Sequence, residues 1–407
     1  MTASDGRLDH AQLSAATLST AGTPRVLRVE RVGSWDGLDA LREEWDALLA
    51  LSDSASVFLG IPFIEAWRDE FGRAYSPVVL ACRSDAGRLR GIAPLLFLPS
   101  NPLLRVMRFI GDIRGESTNL DIIAERGFER PVAEAVLAEL DRMRDAWDVL
   151  DLGQIPEESP VLPHLRAGAV TRRWMVEERT SSHLIIDLAA GWDAILSRLS
   201  KKARWAATYS DRHLARAGVL VGRHCTRPDE LPYFLDALFA LNSERWSLRG
   251  ERGSLFDPAR RAYFRRLAAR FLEGGVLDFD LLELDGRPIA AQFGCRHANT
   301  YYLLDGGFGS AYAGYSPGVV LTGRVIRRII ADGIARYDFL QGDEGHKHRW
   351  SPRVSRYIRL RVARRQSRGG RYLTLARVRS RWSGALRNRF PALWRLTRRA
   401  LARTKES

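Results

Sequence analysis

Phe279-Asp280-Leu281-Leu282-Glu283-Leu284, then Asp285-Gly286-Arg287, then Ile289-Ala290-Ala291-Gln292-Phe293-Gly294 reads as two apolar strands around a turn. An Asp-Gly pair supplies the positive-φ positions that a tight hairpin needs, so the segment predicts a β-hairpin. The pattern occurs twice. Val78-Val79-Leu80-Ala81-Cys82 leads through Asp85-Ala86-Gly87-Arg88 into Gly91-Ile92-Ala93-Pro94-Leu95-Leu96-Phe97. A second echo follows each hairpin, Trp147–Leu152 in the first half and Arg336–Leu340 in the second, each a short strand after an amphipathic helical stretch. Self-similarity of this kind points to a duplicated unit.

Around the second hairpin the remaining elements follow from periodicity and punctuation. Leu231, Phe234, Leu235, Leu238, Phe239, Asn242 and Trp246 keep helical spacing. A next helix has Asp257 as N-cap, Pro258 in its first turn and Gly274-Gly275 as its stop. After an Ala298-Asn299 turn comes a third strand, Tyr301–Leu304, and then a Gly/Tyr-rich loop from Asp305 to Tyr315. Ser316-Pro317-Gly318 opens a helix with a serine cap, running to about Asp332, and strand Tyr337–Leu340 closes the unit. This order predicts an α/β (α+β) fold with mixed, mostly antiparallel sheets flanked by helices.

At 407 residues the chain is too long for one ordinary core, so two domains are expected. No apolar run approaches the roughly 18 residues of a membrane span. Met1 to Pro24 is small and polar, without the basic start and apolar core of a signal peptide, and reads as a disordered leader. Cys82, Cys225 and Cys295 are far apart and odd in number, which argues against a disulfide framework or zinc site and for a reducing, cytoplasmic setting. The net charge of +15 is concentrated near the C-terminus: residues 353–407 hold 18 Arg/Lys against Glu406 alone, leaving 45 basic and 47 acidic residues elsewhere. From Tyr372, the apolar positions Leu375, Val378, Trp382, Leu386, Phe390 and Leu393 recur every three or four residues among arginines, and Pro391 is expected to bend the helix they form. A basic amphipathic helix suits an anionic membrane surface, hence a peripheral location at the inner face of a membrane. A nucleic-acid arm and a helix packed on the protein's own body are the rival readings. The expected division is a leader over 1–25, domains over 26–180 and 181–365, and a basic helical tail over 366–407.

Three stretches carry candidate chemistry. Leu303 to Leu321 is strand, loop and helix; a helix N-terminus suits an anion, and Gly318 lets phosphates approach the backbone. Ser-Pro-Gly also begins helices that bind nothing. Gln341 to Trp350 gathers acids, histidines, a lysine and an arginine directly after the closing strand. Asp343, Glu344 or His346 can take a proton there, and Lys347 or Arg349 can hold an anionic group, unless the stretch is a solvated turn. His346-x-His348 lacks a third ligand, so no metal is expected. In Asn242–Trp246, Arg245 is the candidate for the cleft, whereas the register of Trp246 places it in the core. Ser200–Trp205 is a basic cluster that reads as a phosphate contact or a solvated helix face. Walker, G-x-G-x-x-G and G-x-S-x-G motifs are absent.

Ser182 to about Pro352 resembles the GNAT-like domain of the CelD-type family, associated with cellulose biosynthesis. The resemblance is carried by Leu241–Trp246, Leu284–Ala291, Ser316-Pro317-Gly318, and the pattern Asp-Phe-x-x-Gly-Asp-x-x-x-Lys-x-x-Trp, met by Asp338, Phe339, Gly342, Asp343, Lys347 and Trp350. The tandem arrangement is similar to the FemAB-type transferases. The resemblance implies tandem GNAT-like domains with acetyl-CoA or another acyl-CoA as co-substrate, lying between diverging fourth and fifth core strands. Tyr315, Ser316, Gly318 and Val319 would meet its pyrophosphate. Asp343 and Lys347 would serve catalysis, with His346, which is not among the positions that carry the resemblance, offered as a base by its residue type alone, and Arg245, Trp246 and Arg349 would meet the acceptor. That acceptor would be an amine or hydroxyl of a sugar, polysaccharide precursor or small metabolite. The pyrophosphate loop departs from the family in keeping one glycine, which leaves open an aminoacyl-tRNA donor, as in FemAB-type enzymes. A non-catalytic GNAT-shaped scaffold of a membrane polysaccharide synthase is the third reading. No nucleic acid other than tRNA is implied.

Overall fold

The computed structural model describes residues 26–99, 103–114, 117–248, 250–342, 347–350 and 352–389, with the side chains of the last helix described to Val378. The expected leader lies outside these residues. The first half comprises β1 (Arg28–Val32), α1 (Trp35–Ala40), α2 (Arg42–Ala50), α3 (Ile61–Phe71), β2 (Ser76–Arg83), β3 (Leu89–Phe97), β4 (Val106–Phe109), β5 (Ile123–Ala124), α4 (Glu129–Arg142), β6 (Val149–Pro156), α5 (Leu162–Thr171) and β7 (Trp174–Asp187). Then come α6 (Gly191–Arg198), α7 (Lys201–Leu214), β8 (Leu220–His224), α8 (Leu231–Ser247), α9 (Pro258–Glu273), β9 (Leu277–Leu284), β10 (Arg287–His297), β11 (Thr300–Phe308), α10 (Pro317–Ala331), β12 (Arg336–Gln341), β13 (Arg353–Arg364) and α11 (Arg368–Arg389).

The strands form one mixed, mostly antiparallel sheet in the order β1-β2-β3-β4-β6-β13-β7-β12-β11-β10-β9-β8, with β5 paired to β3. Read inward from either edge, the order repeats. The predicted hairpins are β2/β3 and β9/β10, and each is followed by a strand that pairs in parallel with the strand after a helix, β4 with β6 around α4 and β11 with β12 around α10. The duplication extends to a detail no periodicity predicts. On β6 and on β12 the pairing slips by one residue, and at each slip a non-glycine residue takes positive φ, Gln154 at 60° and Leu340 at 57°.

The centre of the sheet is an exchange. β7 follows β6 in the chain yet lies against β12, and β13 follows β12 yet lies against β6. The two long strands pair with each other from Arg353 opposite Ile185 to Arg364 opposite Trp174. Positions 180 and 181, taken as a domain boundary, therefore fall inside β7, and the halves share a continuous sheet. Helices join them as well. Phe63, Phe71 and Tyr263 bury almost fully where α3 meets α9, each ring contributing roughly 1.5–3 kcal/mol. The accompanying pairs Arg270–Asp69 (2.6 Å) and Arg266–Glu70 (3.4 Å) add about 0–1 kcal/mol each, so ring burial dominates this interface.

Local signals in the second half read true: Asp257 caps α9 by accepting the Ala259 N–H at 2.9 Å, and Phe234, Leu235, Leu238 and Phe239 face the core from α8. Two expectations are corrected. β11 continues through Gly306-Gly307 to Phe308 where a loop was expected, because α8 crosses so closely that a Cβ on Gly307 would stand 2.3 Å from the Asn242 nitrogen. Ser316 precedes α10 with left-handed backbone (φ 54°) and its hydroxyl makes no capping bond, since that geometry turns it away from the first N–H groups.

Candidate active site

β11 and β12 are paired only from Thr300–Tyr302 against Arg336–Asp338 and then diverge. A cavity of about 490 Å³ occupies the divergence, walled by Leu303–Phe308, Phe339–Gln341 and the start of α10. Opposite the divergence, β11 bulges against β10: Gly294 faces Leu303 but Phe293 faces Asp305. The main chain of Leu303–Asp305 thus presents groups to the cavity that β12 does not pair. Gln292, held between the Tyr301 hydroxyl (2.8 Å) and the Thr322 hydroxyl (3.0 Å), forms part of its floor.

The cavity brings together residues from all three predicted stretches: Ser316, Gly318 and Val319; Arg245 and Trp246; and Lys347 and Arg349. Pro317 brings no N–H, and Val319 and Val320 donate to the Ser316 carbonyl at 2.9 and 3.2 Å. The positive end of α10 points into a space where Gly318 leaves room, a setting for an anion. Tyr315 stands apart from the cavity wall, its ring against His213 at 5.1 Å. Trp246 is half-buried on the wall rather than in the core, under the Arg245 guanidinium. Asp343 and His346 lie outside the described residues. The basic cluster at Ser200–Trp205 forms the start of α7, where Arg204 donates to the carbonyls of Leu196, Ser197 and Leu199 and so closes the end of α6.

Sequence reasoning missed Asp305, the carboxylate on the cavity wall among the described residues. It accepts from Asn242 Nδ2 (2.8 Å), the Gly306 N–H (2.7 Å) and the Ser254 hydroxyl (3.3 Å). Burial raises its pKa, against the lowering by the Gly306 N–H and by Arg245 and Arg260. Its only signal was position, the last residue before a glycine pair.

Lys347 is buried in a 3-10 turn, not displayed on a loop. Its ammonium donates to the Gln341 carbonyl at 3.0 Å, with the Gly342 carbonyl at 3.5 Å. Behind it lies a polar junction between the halves. His183 has no solvent exposure and is held between the Thr118 hydroxyl (3.2 Å) and Gln154 Oε1 (3.1 Å), its ring stacked on Tyr357 at 3.8 Å. Gln154 in turn donates to Gln341 Oε1 at 3.2 Å. Burial, assisted by the Lys347 charge, holds His183 down at about 3. Burial pushes Asp338 up to about 7, opposed by the Leu340 N–H and Lys347. Asp338 is therefore protonated in the folded chain and ionised in the unfolded chain between about pH 4 and 7, and its contribution to stability falls as pH rises through that window. Asp338→Asn keeps the shape and removes the titration. The variant should gain stability relative to wild type from pH 4 to 7, by up to about 1.4 kcal/mol per pH unit, and level off above. Urea unfolding of both proteins at each pH measures this; a pH-independent difference would place the Asp338 pKa in the ordinary range.

His224, Asp278 and Asp280 bring ligand-type atoms within 4.8 Å of one another on β8 and β9. Arginines already occupy them: Asp278 pairs with Arg296 and Arg328, and Asp280 with Arg328 at 2.8 Å. In the first half the divergence equivalent to the cavity is bridged by Arg359, which pairs with Asp112 after β4 (3.2 Å) and Asp151 on β6 (3.0 Å).

The sequence model of the acetyltransferase (GNAT) domain matches residues 201–348. The match lies in the second half of the chain. That match spans α7 through the cavity-lining turn at Lys347. No protein of curated function matches the sequence. Among solved structures, FemX is similar at 12% identity and a TM-score of 0.56, over 81% of this chain and 96% of that one. A conserved protein of unknown function from Bacteroides thetaiotaomicron is similar at 14% identity and a TM-score of 0.53, over 83% and 100%. Both likenesses extend across the duplicated body and concern the fold. Among the described residues, no helix is long and apolar enough to cross a membrane.

Proposed function

We propose that the protein is a GNAT-type acyltransferase that moves an acyl group, acetyl in the simplest case, from a CoA thioester to an amine or hydroxyl of a sugar, polysaccharide precursor or small metabolite. The observation that carries this reading is the cavity between diverging β11 and β12 at the start of α10. The donor's pyrophosphate meets the α10 N-terminus beside Ser316, Gly318 and Val319. The thioester carbonyl lies against the β11 bulge, whose main-chain N–H groups stabilise the oxyanion. The acceptor enters past Arg245, Trp246 and Arg349. Its nucleophilic atom bonds to the carbonyl carbon, the acceptor's proton passes to a base, the C–S bond breaks, and CoA leaves as a thiolate that takes a proton from that base or from water. Asp305 is the described carboxylate placed for that proton, with Asp343 and His346 as the sequence's own candidates.

Release of free thiol from acetyl-CoA in the presence of amino sugars and other amines tests the reading. Asp305→Asn should lower that release about 100-fold, while leaving the acetyl-CoA-dependent rise in melting temperature intact. Unchanged turnover removes Asp305 from the chemistry. If no acyl-CoA stabilises the wild type, the aminoacyl-tRNA donor becomes the reading to test. Binding without turnover on any acceptor favours the scaffold.

A further inference from the structure

α11 joins the body through a narrow strip. Leu373 has no exposure and packs on Val149 and Ala363, and the Arg377 guanidinium donates to the Val176 carbonyl. Gly369 lies so close to β6 that a Cβ there would stand 1.8 Å from the Asp148 carbonyl oxygen. This corrects the choice between a free tail and a packed one: the first turns are packed, and the helix begins at Arg368 rather than near Tyr372. Leu373, which does the packing, does not belong to the apolar series read from the sequence. The members of that series within reach, Leu375 and Val378, are 68% and 47% exposed, and Tyr372 beside them is 42% exposed. Residues three apart on a helix are neighbours, so the three form one outward strip.

Next to the strip lies an open groove of about 1560 Å³, lined at the end of β13 and the start of α11 by arginines. Arg105 and Arg364 are paired there with Asp148 and Asp145. Among the described residues, Arg144, Arg172, Arg173, Arg365, Arg368 and Arg371 have no carboxylate in an ion pair. Unpaired like charges in one groove repel, and an anionic partner removes that cost. The groove lies at the Arg364 end of β13, about 36 Å along the strand from its Arg353 end.

We propose that this face, the arginine groove together with the Tyr372–Leu375–Val378 strip, docks on the surface of an anionic lipid bilayer. Arginines meet the phosphate headgroups and the strip enters the interface between headgroups and acyl chains. The apolar strip decides between partners: a nucleic acid uses the same arginines and has no use for Leu375 and Val378. The sequence spacing extends the strip toward Trp382 and Leu386.

Full-length protein is sedimented with vesicles of phosphatidylcholine alone and of phosphatidylcholine carrying about one third phosphatidylglycerol, at low and high salt. Binding to the anionic vesicles only, weakened at least about tenfold by high salt, is the expected result. Arg365→Glu with Arg368→Glu and Arg371→Glu should abolish it. Leu375→Ser with Val378→Ser should weaken it several-fold at unchanged charge. All five side chains are exposed, so the variants should melt with the wild type, and only variants that do so are compared. The proposal is overturned if anionic vesicles do not sediment the protein. It is equally overturned if the serine variant binds vesicles as the wild type does while duplex DNA or tRNA competes for the arginines, which would make the face a nucleic-acid surface.

Discussion

Gly318→Trp should abolish the rise in melting temperature that acetyl-CoA gives the wild-type protein, while the variant without ligand melts as the wild type does. A ligand at 100 times its Kd that binds only the folded chain adds about 2.7 kcal/mol, on the order of 3 °C for a chain of this size. The substitution acts on the ligand and not on the fold because of what surrounds the position. A Cβ on Gly318 meets only a Phe308 ring carbon at 3.7 Å, an ordinary contact, and beyond it lies the cavity. An indole there takes the space in which phosphates would approach the N-terminus of α10. Differential scanning fluorimetry with and without acetyl-CoA reads both halves of the expectation. A variant that still shifts as the wild type does would mean that the donor does not contact this helix end.

Lys347→Met should cost both turnover and stability. The sequence offers Lys347 in a charged stretch after the closing strand, but in the fold its side chain is buried and its ammonium donates to the Gln341 carbonyl. Deleting a charged hydrogen-bond donor costs about 1.5–3 kcal/mol. The same contact holds the end of β12 at the cavity, so loosening it misplaces the wall, and a displacement of that kind can lower turnover by about 100-fold. Turnover is measured well below the variant's own melting temperature, so that unfolding does not mimic the loss. Lys347→Arg, which keeps a donor, should recover part of each. Wild-type melting and wild-type turnover in the Met variant would together remove Lys347 from the site. Asp343→Ala, outside the described residues, should lower turnover at little cost in melting temperature.

What was legible in the sequence was whatever is decided locally. The Asp-Gly turn at Asp285-Gly286, with φ of 49° and 75°, encodes its hairpin within a few residues, and so does the capped start of α9 at Asp257. The repeat of the hairpin and of the closing strand revealed the duplication, and the helix start at Ser316 pointed to one wall of the cavity. Asp305 was not legible, because a strand that runs on through two glycines looks like a loop until α8 is laid across it.

By itself, then, the amino-acid sequence determined the elements whose signals lie within one turn or one hairpin: the paired units, α8 to α10, and the residues offered by each stretch. The tertiary structure decided how the halves join. β7 carries Glu177, Glu178 and Arg179 in mid-strand, and β13 alternates Arg359 and Arg361 with Leu360 and Val362, so neither has the apolar run of a central strand. The arginines from Arg353 onward read as the start of a tail. In the fold the two strands pair with each other along their length, and the β13 arginines find partners far away in sequence, Arg359 with Asp112 and Asp151 and Arg361 with Asp151, while Glu178 on β7 pairs with Arg166 on the preceding helix. Long-range pairing supplies both the hydrogen bonds and the countercharges, and neither leaves a mark in local spacing. The same holds for Lys347, whose burial depends on β12 ending beside it.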